Sequence, residues 1–238
     1  MNNNNKRILA FLVAMLMCVS IFGGMTAFAS LNYHQNWTSD LGNGPISGTR
    51  TGNQGTVTFN GNLSTGNFTV SWRTSPTNSG YNNLQGLGWS TGTSSRRIGY
   101  NLGVFNHTSG SNGCTYGCVY GWARSPQLYE YYVVDNWVNY GNTSGSHRGS
   151  LTSDGGTYNI YTESTNGPNI NGSGPFFKIK SVRTSQRPTG QNNVVTFQNH
   201  INAWASQAGV SLSNHDYQAY IIEGYNSAGN ANATVWAA

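Results

Sequence analysis

Charged side chains are rare in this chain of 238 residues and make up 8% of it, with 12 lysines and arginines against 7 aspartates and glutamates. The basic residues stand singly or in pairs such as Arg96-Arg97, and they form no stripe of the kind that binds nucleic acid. We therefore expect no nucleic-acid partner. A surface with so little charge is kept soluble by amides and hydroxyls instead.

Cysteine is also scarce, with three residues in the chain, of which Cys18 lies in the leader segment described below. If Cys114 and Cys118 share one extended strand, their Cα atoms lie roughly 13 Å apart, which is too far for a disulfide. A tight turn at Gly117 would permit the bond in a secreted protein, so the redox state stays open. Two cysteines make a poor metal site. We predict no zinc and expect no cofactor.

Long apolar runs are absent except at the start of the chain. Lys6 and Arg7 precede an apolar run over residues 8–19, and Ala27-Phe28-Ala29 forms a small-x-small cleavage signal. This order of segments is typical of a secretory signal peptide. We predict that residues 1–29 are this peptide and that residues 30–238 form one mature domain, which is secreted and extracellular.

A membrane anchor is the alternative for the same run. Gly23, Gly24 and Thr26 interrupt it before it reaches the ~20 apolar residues of a spanning helix, which favours the signal peptide. No later stretch is apolar enough to cross a bilayer. We therefore expect no membrane contact after cleavage, and we expect the mature chain to be a monomer.

Aromatic residues, in contrast, are abundant, at 13% of the chain with 14 tyrosines. Aromatic faces stack on sugar rings, and amides and hydroxyls hydrogen-bond to sugar hydroxyls, so this composition suits a carbohydrate-binding surface. A glycine- and asparagine-rich β scaffold with many turns explains the composition equally well.

Short segments of alternating polarity dominate the chain. They are rich in β-branched and aromatic residues and are separated by Gly, Asn or Pro clusters, which is the pattern of strands and turns. Many short strands of this kind predict a sandwich or jelly roll. The segments include residues 56–59, 67–72, 158–161, 176–180 and a last strand at 233–236.

One segment, residues 193–209, has a different period. Its apolar residues recur at spacings of three and four, which predicts one amphipathic helix packed on the outside of the sheets. Gly209 is a natural helix stop. The apolar positions are Val194, Phe197, Ile201, Trp204, Ala205 and Ala208.

Glutamate occurs only three times, which makes its placement informative. We place Glu163 at a strand end that leads into a polar loop, and we expect it to be a solvated surface residue. Glu130 and Glu223 lie within strand-like segments among apolar and aromatic residues. Glutamate is depleted in strands, and burying an ionised carboxylate without a partner is costly. An aromatic-lined groove explains these two positions better than an exposed sheet face does.

Two carboxylates that face each other across a groove are what cleavage of a glycosidic bond requires. One acts as nucleophile or base, and the other as an acid with a raised pKa. We therefore predict that Glu130 and Glu223 are the catalytic pair of a glycan hydrolase.

Several motifs resemble those of the family 11 glycoside hydrolases, the small β-jelly-roll endo-β-1,4-xylanases. Residues 120–126 and 130–137 resemble the strand that carries the nucleophile of that family, and residues 223–229 resemble its acid/base strand. Their order and spacing hold across nearly the whole predicted mature chain. Further matches are Gln35-Asn36-Trp37-Thr38, residues 153–158, Ser181-Val182-Arg183, Arg187-Pro188-Thr189-Gly190 and residues 200–204.

This resemblance implies an all-β jelly roll of two packed, strongly curved antiparallel sheets with a single α-helix. It also implies retaining endo-hydrolysis of β-1,4-xylosidic bonds in xylan, with Glu130 as the nucleophile and Glu223 as the acid/base at a separation of about 5.5 Å. Pro168 matches the tip of a thumb loop over the cleft. The implied substrate-binding residues are Trp37, Asn82, Tyr120, Tyr132, Pro168, Tyr217 and Tyr225.

Asn82 matches the residue that contacts the acid/base, although the register also permits Asn83. In the family this residue is usually Asp in acid-adapted members and Asn in the others. Because an amide donates a hydrogen bond without adding negative charge, we predict a near-neutral pH optimum.

The chain also departs from the family pattern around the cleft. Ser164 stands where an arginine is usual, Lys178 replaces a glutamine that helps to bind substrate, and Lys180 replaces a tryptophan. His34 takes the place of a common tryptophan, and a polar insertion spans residues 75–80. Lys178 pairs with an acidic substituent on xylan or with a carboxylate of the site, or else reflects local repacking without a change of substrate.

Two alternatives to a xylanase remain. One is a non-catalytic carbohydrate-binding β-sandwich, against which the presence of both Glu130 and Glu223 argues. The other keeps the chemistry but acts on a different or decorated β-glycan, as the altered thumb base suggests. The sequence leaves the preferred xylan decoration open.

Overall fold

The computed structural model describes residues 32–37, 47–52, 55–74, 82–109 and 113–238, and for residues 32–37, 50, 52 and 109 it describes only the backbone. These residues form fourteen strands and one helix, α1 (Phe197–Ala208). The strands are β1 (Asn32–Trp37), β2 (Ser47–Gly52), β3 (Gly55–Gly61), β4 (Asn67–Thr74), β5 (Asn82–Trp89), β6 (Arg97–Ser109), β7 (Cys114–Ser125), β8 (Tyr129–Val138), β9 (Ser146–Ser153), β10 (Gly156–Asn169), β11 (Gly172–Arg183), β12 (Asn192–Thr196), β13 (Ser213–Tyr225) and β14 (Ala228–Ala237).

The strands form two packed sheets. The larger has the order β1-β5-β13-β7-β8-β11-β10-β9, and the smaller has the order β12-β6-β14-β4-β3-β2. Strand β4 shows why they pack, because its side chains alternate between exposed and buried from Asn67 to Thr74. Buried residues of both sheets, such as Trp72 and Tyr131, belong to one apolar core. The predicted all-β architecture of two packed sheets with one helix is confirmed.

One pair of neighbouring strands departs from the predicted antiparallel arrangement. Strands β8 and β11 run parallel, with Glu130 beside Lys178 in the register. The chain between these strands forms β9 and β10, which supplies the long crossover that a parallel pair requires. The departure brings Lys178 next to Glu130, which an antiparallel pairing of the same strands need not have done.

The segments predicted as strands all lie in strands, namely in β3, β4, β10, β11 and β14. Between β9 and β10 the chain reverses at Asp154 and Gly155, which adopt the positive φ angles of 48° and 73° that such a tight turn needs. Local pattern and tertiary structure therefore agree in these five strands.

The helix is shorter than predicted. It begins at Phe197 rather than Asn193, because residues 192–196 pair with β6 as strand β12. The β-branched run there favours a strand, and Val195 is fully buried in the core. The predicted stop is confirmed, since Gly209 adopts a left-handed conformation with φ 68° and donates its N–H to the carbonyl of Trp204.

The hairpin of β10 and β11 corrects two predictions. Strand β10 does not end near Glu163 but continues to Asn169, paired with β11 throughout. The chain reverses at Ile170 and Asn171, so Pro168 lies on one arm of the hairpin rather than at its tip. Backbone hydrogen bonds sustain the ladder even though the sequence of this part of β10 is polar. We call residues 163–178 the thumb hairpin.

Some predictions lie outside the described residues, namely the signal peptide of residues 1–29 and the insertion at residues 75–80. Within the described part of the chain, no helix has the length and apolar character needed to cross a membrane.

Candidate active site

Three adjacent strands of the larger sheet carry the two glutamates. Strand β7 lies between β8 and β13, and it pairs Trp122 with Glu130 on one side and Tyr116 with Glu223 on the other. Because side chains alternate between the faces of a strand, these residues share the face that is turned away from the core between the sheets. Both glutamates line one open cleft on that face.

Glu130 is only 6% exposed and has a partner on each side. The Tyr120 hydroxyl donates to its Oε1 at 2.6 Å, and Trp122 Nε1 donates to the Tyr120 oxygen at 2.9 Å. The Nζ of Lys178 lies 3.6 Å from Glu130 Oε2. A hydrogen-bond donor and a cation are the partners that orient a carboxylate anion.

Glu223 is 5% exposed, and the amide of Asn82 donates from Nδ2 to its Oε1 at 2.6 Å. Burial raises the pKa of Glu223 to about 7, and the negative charge of Glu130 adds to the rise, while the Asn82 hydrogen bond and the Lys178 cation oppose it. Glu223 is therefore a group that exchanges a proton near neutral pH, as a general acid and base must.

The predicted tyrosines occupy different depths around Glu130. Tyr132 lines the cleft, with its ring edge-on to that of Tyr120 at 4.9 Å between centroids. The Tyr217 ring lies 6.0 Å from that of Tyr120. Tyr120 itself is fully buried. It therefore acts on the site through its hydrogen bond to Glu130 rather than through an open ring face.

The cleft has a volume of about 480 Å³. Pro168 lines it from the thumb hairpin, and Tyr225 and Tyr140 are its exposed aromatic residues. Such a mixture of ring faces, amides and hydroxyls suits a neutral polyhydroxylated ligand. The remaining lining residues are Asn82, Cys114, Tyr116, Asn142, Ser144, Glu163, Thr165, Asn166, Gly167, Phe176 and Lys178.

Glu163 is less solvated than the sequence suggested, with a side chain that is 30% exposed. It lines the cleft, and its Oε2 lies 2.8 Å from Nζ of Lys180, whose side chain is 0% exposed. Ser144 and Asn142 accept from the same Nζ at 2.7 and 3.3 Å. Burial lowers the pKa of Lys180, and the hydrogen bond to Glu163 opposes that effect. The error arose because β10 was expected to end before it reached the cleft.

The two cysteines are free and buried. Both lie in β7, so the extended spacing applies, and no tight turn at Gly117 brings them together. Cys114 donates from Sγ to the Tyr116 oxygen at 2.9 Å. Burial raises the pKa of Cys114 to about 11, which keeps this thiol neutral.

Sequence reasoning thus found both carboxylates and Asn82, which the structure brings together. The side chain of Trp37 lies outside the described residues, so its substrate contact stays a prediction. Tyr140, Asn142, Ser144 and Glu163 were missed. For Glu163 no signal was present, because Thr162-Glu163-Ser164-Thr165 is polar throughout and lacks the alternation that would have extended the strand to the cleft. The loop residues 140–144 carried no strand pattern either.

Comparisons with known proteins agree with this geometry. A family model described as glycosyl hydrolases family 11 matches residues 30–234. A protein named endo-1,4-beta-xylanase 3 from Pyricularia oryzae is 44% identical over 176 residues, which are 71% of this chain and 67% of that protein. Another, endo-1,4-beta-xylanase Xyn11B from Cellvibrio japonicus, is 40% identical over 178 residues, which are 73% of this chain and 47% of that protein.

A solved structure is similar as well. It comes from a structural comparison of two major endo-1,4-beta-xylanases from Trichoderma reesei. It is superposed with a TM-score of 0.67 at 34% sequence identity, covering 87% of this chain and 99% of that chain.

Proposed function

The chain belongs to the family 11 glycosyl hydrolases, and from this membership we propose that it cleaves internal β-1,4-xylosidic bonds of xylan with retention of anomeric configuration. The observation that carries the proposal is the unequal surroundings of two buried carboxylates in one cleft. Glu130 has a phenol donor and a cation beside it, whereas burial raises the pKa of Glu223 to about 7.

The first step of a retaining mechanism suits this asymmetry. The carboxylate of Glu130 attacks the anomeric carbon and forms a glycosyl ester, while the bond from that carbon to the leaving oxygen breaks. Glu223 gives its proton to that oxygen, so the released chain departs as an alcohol and Glu223 becomes a carboxylate.

The second step reverses the proton transfer. Glu223, now ionised, takes a proton from water, and the water oxygen attacks the anomeric carbon as the ester bond to Glu130 breaks. Each step inverts the configuration at the anomeric carbon, so the two steps together retain it. The mechanism requires the two carboxyl groups to stand about 5 to 5.5 Å apart.

Xylan as the substrate is inferred from the similar proteins, whose names describe endo-1,4-beta-xylanases. The cleft is compatible with this choice, because its exposed tyrosines, Tyr140 and Tyr225, offer ring faces and its asparagines offer amides to an uncharged sugar chain. We further propose that residues 1–29 are removed on secretion and that the mature enzyme acts outside the cell as a monomer.

One assay tests activity and substrate together. The wild-type protein, Glu130→Gln and Glu223→Gln are incubated with plain xylan and with glucuronate- or arabinose-decorated xylan, and new reducing ends are measured. We expect activity only in the wild type. A wild type that binds xylan but releases no reducing ends would support the carbohydrate-binding alternative, and one active only on decorated xylan would support the changed substrate.

A second measurement tests retention. The anomeric configuration of the first product is followed by proton NMR immediately after enzyme is added to xylo-oligosaccharide. We expect the β-anomer to appear first and then to mutarotate. Initial release of the α-anomer would contradict double displacement.

A further inference from the structure

After Arg7 the sequence contains only two lysines and three glutamates, and all five lie in one group. Lys178 is beside Glu130 in the parallel ladder of β8 and β11 and opposite Glu163 in the antiparallel ladder of β10 and β11. Lys180 forms an ion pair with Glu163. Charged residues make up only 8% of the chain, yet these five lie around one cleft. This clustering indicates that the interactions between their charges contribute to the function of the site.

The two lysines have separate partners. Lys180 is fully buried and bound by Glu163, Ser144 and Asn142, so it is held inside the fold. Lys178 remains 26% exposed and approaches Glu130 at 3.6 Å. Burial opposes its charge, but Glu130, Glu223 and Glu163 outweigh that effect and raise the pKa of Lys178 above its ordinary value. Lys178 is therefore a cation throughout the neutral range.

An anionic sugar substituent is the other partner that a cleft lysine suggests. Lys178 and Lys180 already face Glu130 and Glu163, so two positive charges meet two negative ones while Glu223 is protonated. An added carboxylate would have to compete with Glu130 for Lys178. The arrangement favours an internal role for Lys178 over recognition of an acidic decoration.

The charges that act on Glu223 can be identified from its neighbours. Burial raises the pKa values of the surrounding thiols and phenols, so these groups are neutral near pH 7. Among the described residues, Glu130 and Lys178 are then the charged groups that act on Glu223. The neutral titratable neighbours are Cys114, Tyr116, Cys118 and Tyr120 on β7 and Tyr132 on β8.

We propose that Lys178 is a positioning residue that orients the Glu130 carboxylate. Once Glu130 is bonded to the sugar, the positive charge of Lys178 is no longer compensated by Glu130 and acts on Glu223. The inference rests on the proposed double displacement. While Glu130 is ionised, its charge and that of Lys178 act on Glu223 in opposite directions. When Glu130 becomes an ester its charge vanishes, and the remaining cation favours the carboxylate form of Glu223 that the second step needs.

The test begins with the free protein, so that it does not depend on catalysis. Glutamate labelled with 13C at the side-chain carboxyl gives three signals, which Glu→Gln variants assign, and each is titrated from pH 3 to 10. In Lys178→Gln and Lys178→Met, we expect the titration midpoint of Glu223 to rise by roughly half a unit to one unit. Lys178→Arg keeps the cation and should leave the midpoint within about 0.2 unit of wild type.

Kinetics then test the role in each step. We expect Lys178→Gln to move two limbs upward. One is the alkaline limb of kcat/KM on a xylo-oligosaccharide, whose leaving oxygen needs the proton of Glu223, and the other is the acidic limb of kcat on an aryl xylobioside with a good leaving group, where the second step limits the rate and needs Glu223 ionised. Lys178→Arg should restore both limbs. Arg97→Gln removes an exposed cation from β6 of the smaller sheet and serves as the matched control.

An unchanged Glu223 midpoint in both neutral variants would overturn the inference, as would a loss of rate with no movement of either limb. If the wild type fails to hydrolyse xylan while the titration shifts as expected, the proposed function fails and the electrostatic coupling stands. The two results are therefore distinguishable.

Discussion

The two faces of the larger sheet are buried to a similar degree but have opposite chemistry. In strand β8, Tyr131 and Val133 face the core between the sheets, while Glu130 and Tyr132 face the cleft, and none of the four is more than 6% exposed. The core face is mostly apolar, and the fully buried carboxylate that β8 contributes there, Asp135, is compensated on both oxygens: the Tyr100 and Tyr158 hydroxyls each donate to it at 2.6 Å, and Arg187 pairs with it at 3.0 Å.

On the cleft face, in contrast, the three glutamates differ in the kind and number of their partners. Glu130 has a phenol and a cation, Glu223 has an amide, and Glu163 has a buried lysine. The difference teaches that burial alone does not define the site. What distinguishes the cleft is how each buried charge is compensated, because incomplete compensation is what moves a carboxyl pKa toward the working pH.

The largest expected effect separates the two carboxylates of the cleft face. Glu223→Ala should lower kcat/KM on xylan by about 10³-fold, because protonation of the leaving oxygen is lost. It should retain far more activity on an aryl xylobioside whose phenol leaves without a proton. Glu130→Ala should be inactive on both substrates, since no leaving group replaces the nucleophile. Equal losses on the aryl substrate would contradict the assigned roles.

The next effect concerns stability and sharpens the comparison directly. Glu223 has a folded pKa of about 7 against an ordinary value of 4.5. A raised carboxyl pKa leaves stability intact below pH 4.5 and removes it as pH rises through 7, by about 3 kcal/mol in all. Glu223→Gln should therefore gain stability relative to wild type between pH 4 and pH 9.

Thermal unfolding of both proteins at the two pH values measures this gain. Asp216→Asn removes a carboxylate from the exposed pair with Arg124 and should show little pH-dependent gain. If Glu223→Gln and the wild type keep the same stability difference at pH 4 and pH 9, Glu223 is not the buried titrating acid.

On the core face the expected effect is on stability alone. Val133 is fully buried among apolar neighbours, so Val133→Ala should lower the free energy of unfolding by about 2 kcal/mol. Denaturant titration measures this loss, and kcat/KM at a temperature where the variant is folded should stay close to wild type. Tyr132→Phe, one residue earlier on the other face, should lower kcat/KM and leave the free energy of unfolding close to wild type. A large activity loss in Val133→Ala would break the separation of the two faces.

The smallest effect is a shift of the pH profile. Asn82→Asp would place a second carboxyl group at the position from which the amide now contacts Glu223 at 2.6 Å. Two such groups share a proton and titrate as a pair. The lower of the two pKa values of such a pair lies below that of Glu223 alone, so we expect the predicted near-neutral optimum to move down by about one pH unit. Asn82→Ser, which adds no charge, is the control, and a profile of Asn82→Asp that coincides with wild type would contradict the role of Asn82.

Much of this site was predictable because its signals are local. A glutamate in an aromatic strand segment, as at Glu130 and Glu223, conflicts with strand propensity and with the cost of burying charge, and that conflict marks function. The glycine stop of the helix at Gly209 is equally local. The helix start was wrong because Val194 and Val195 fit either a helix face or a strand, and only their pairing with β6 decides between them.

The sequence by itself determined the strand pattern, the helix stop and which two carboxylates are exceptional, since each depends on neighbours within a few residues of the chain. Only the tertiary structure decided what stands beside those carboxylates. The parallel pairing of β8 with β11 and the length of the thumb hairpin bring Lys178 and Glu163 to the cleft. Pairing between strands far apart in sequence sets these contacts. It places the Lys178 cation where it opposes the rise that burial causes in the pKa of Glu223, because electrostatic effects depend on distance in space and on burial.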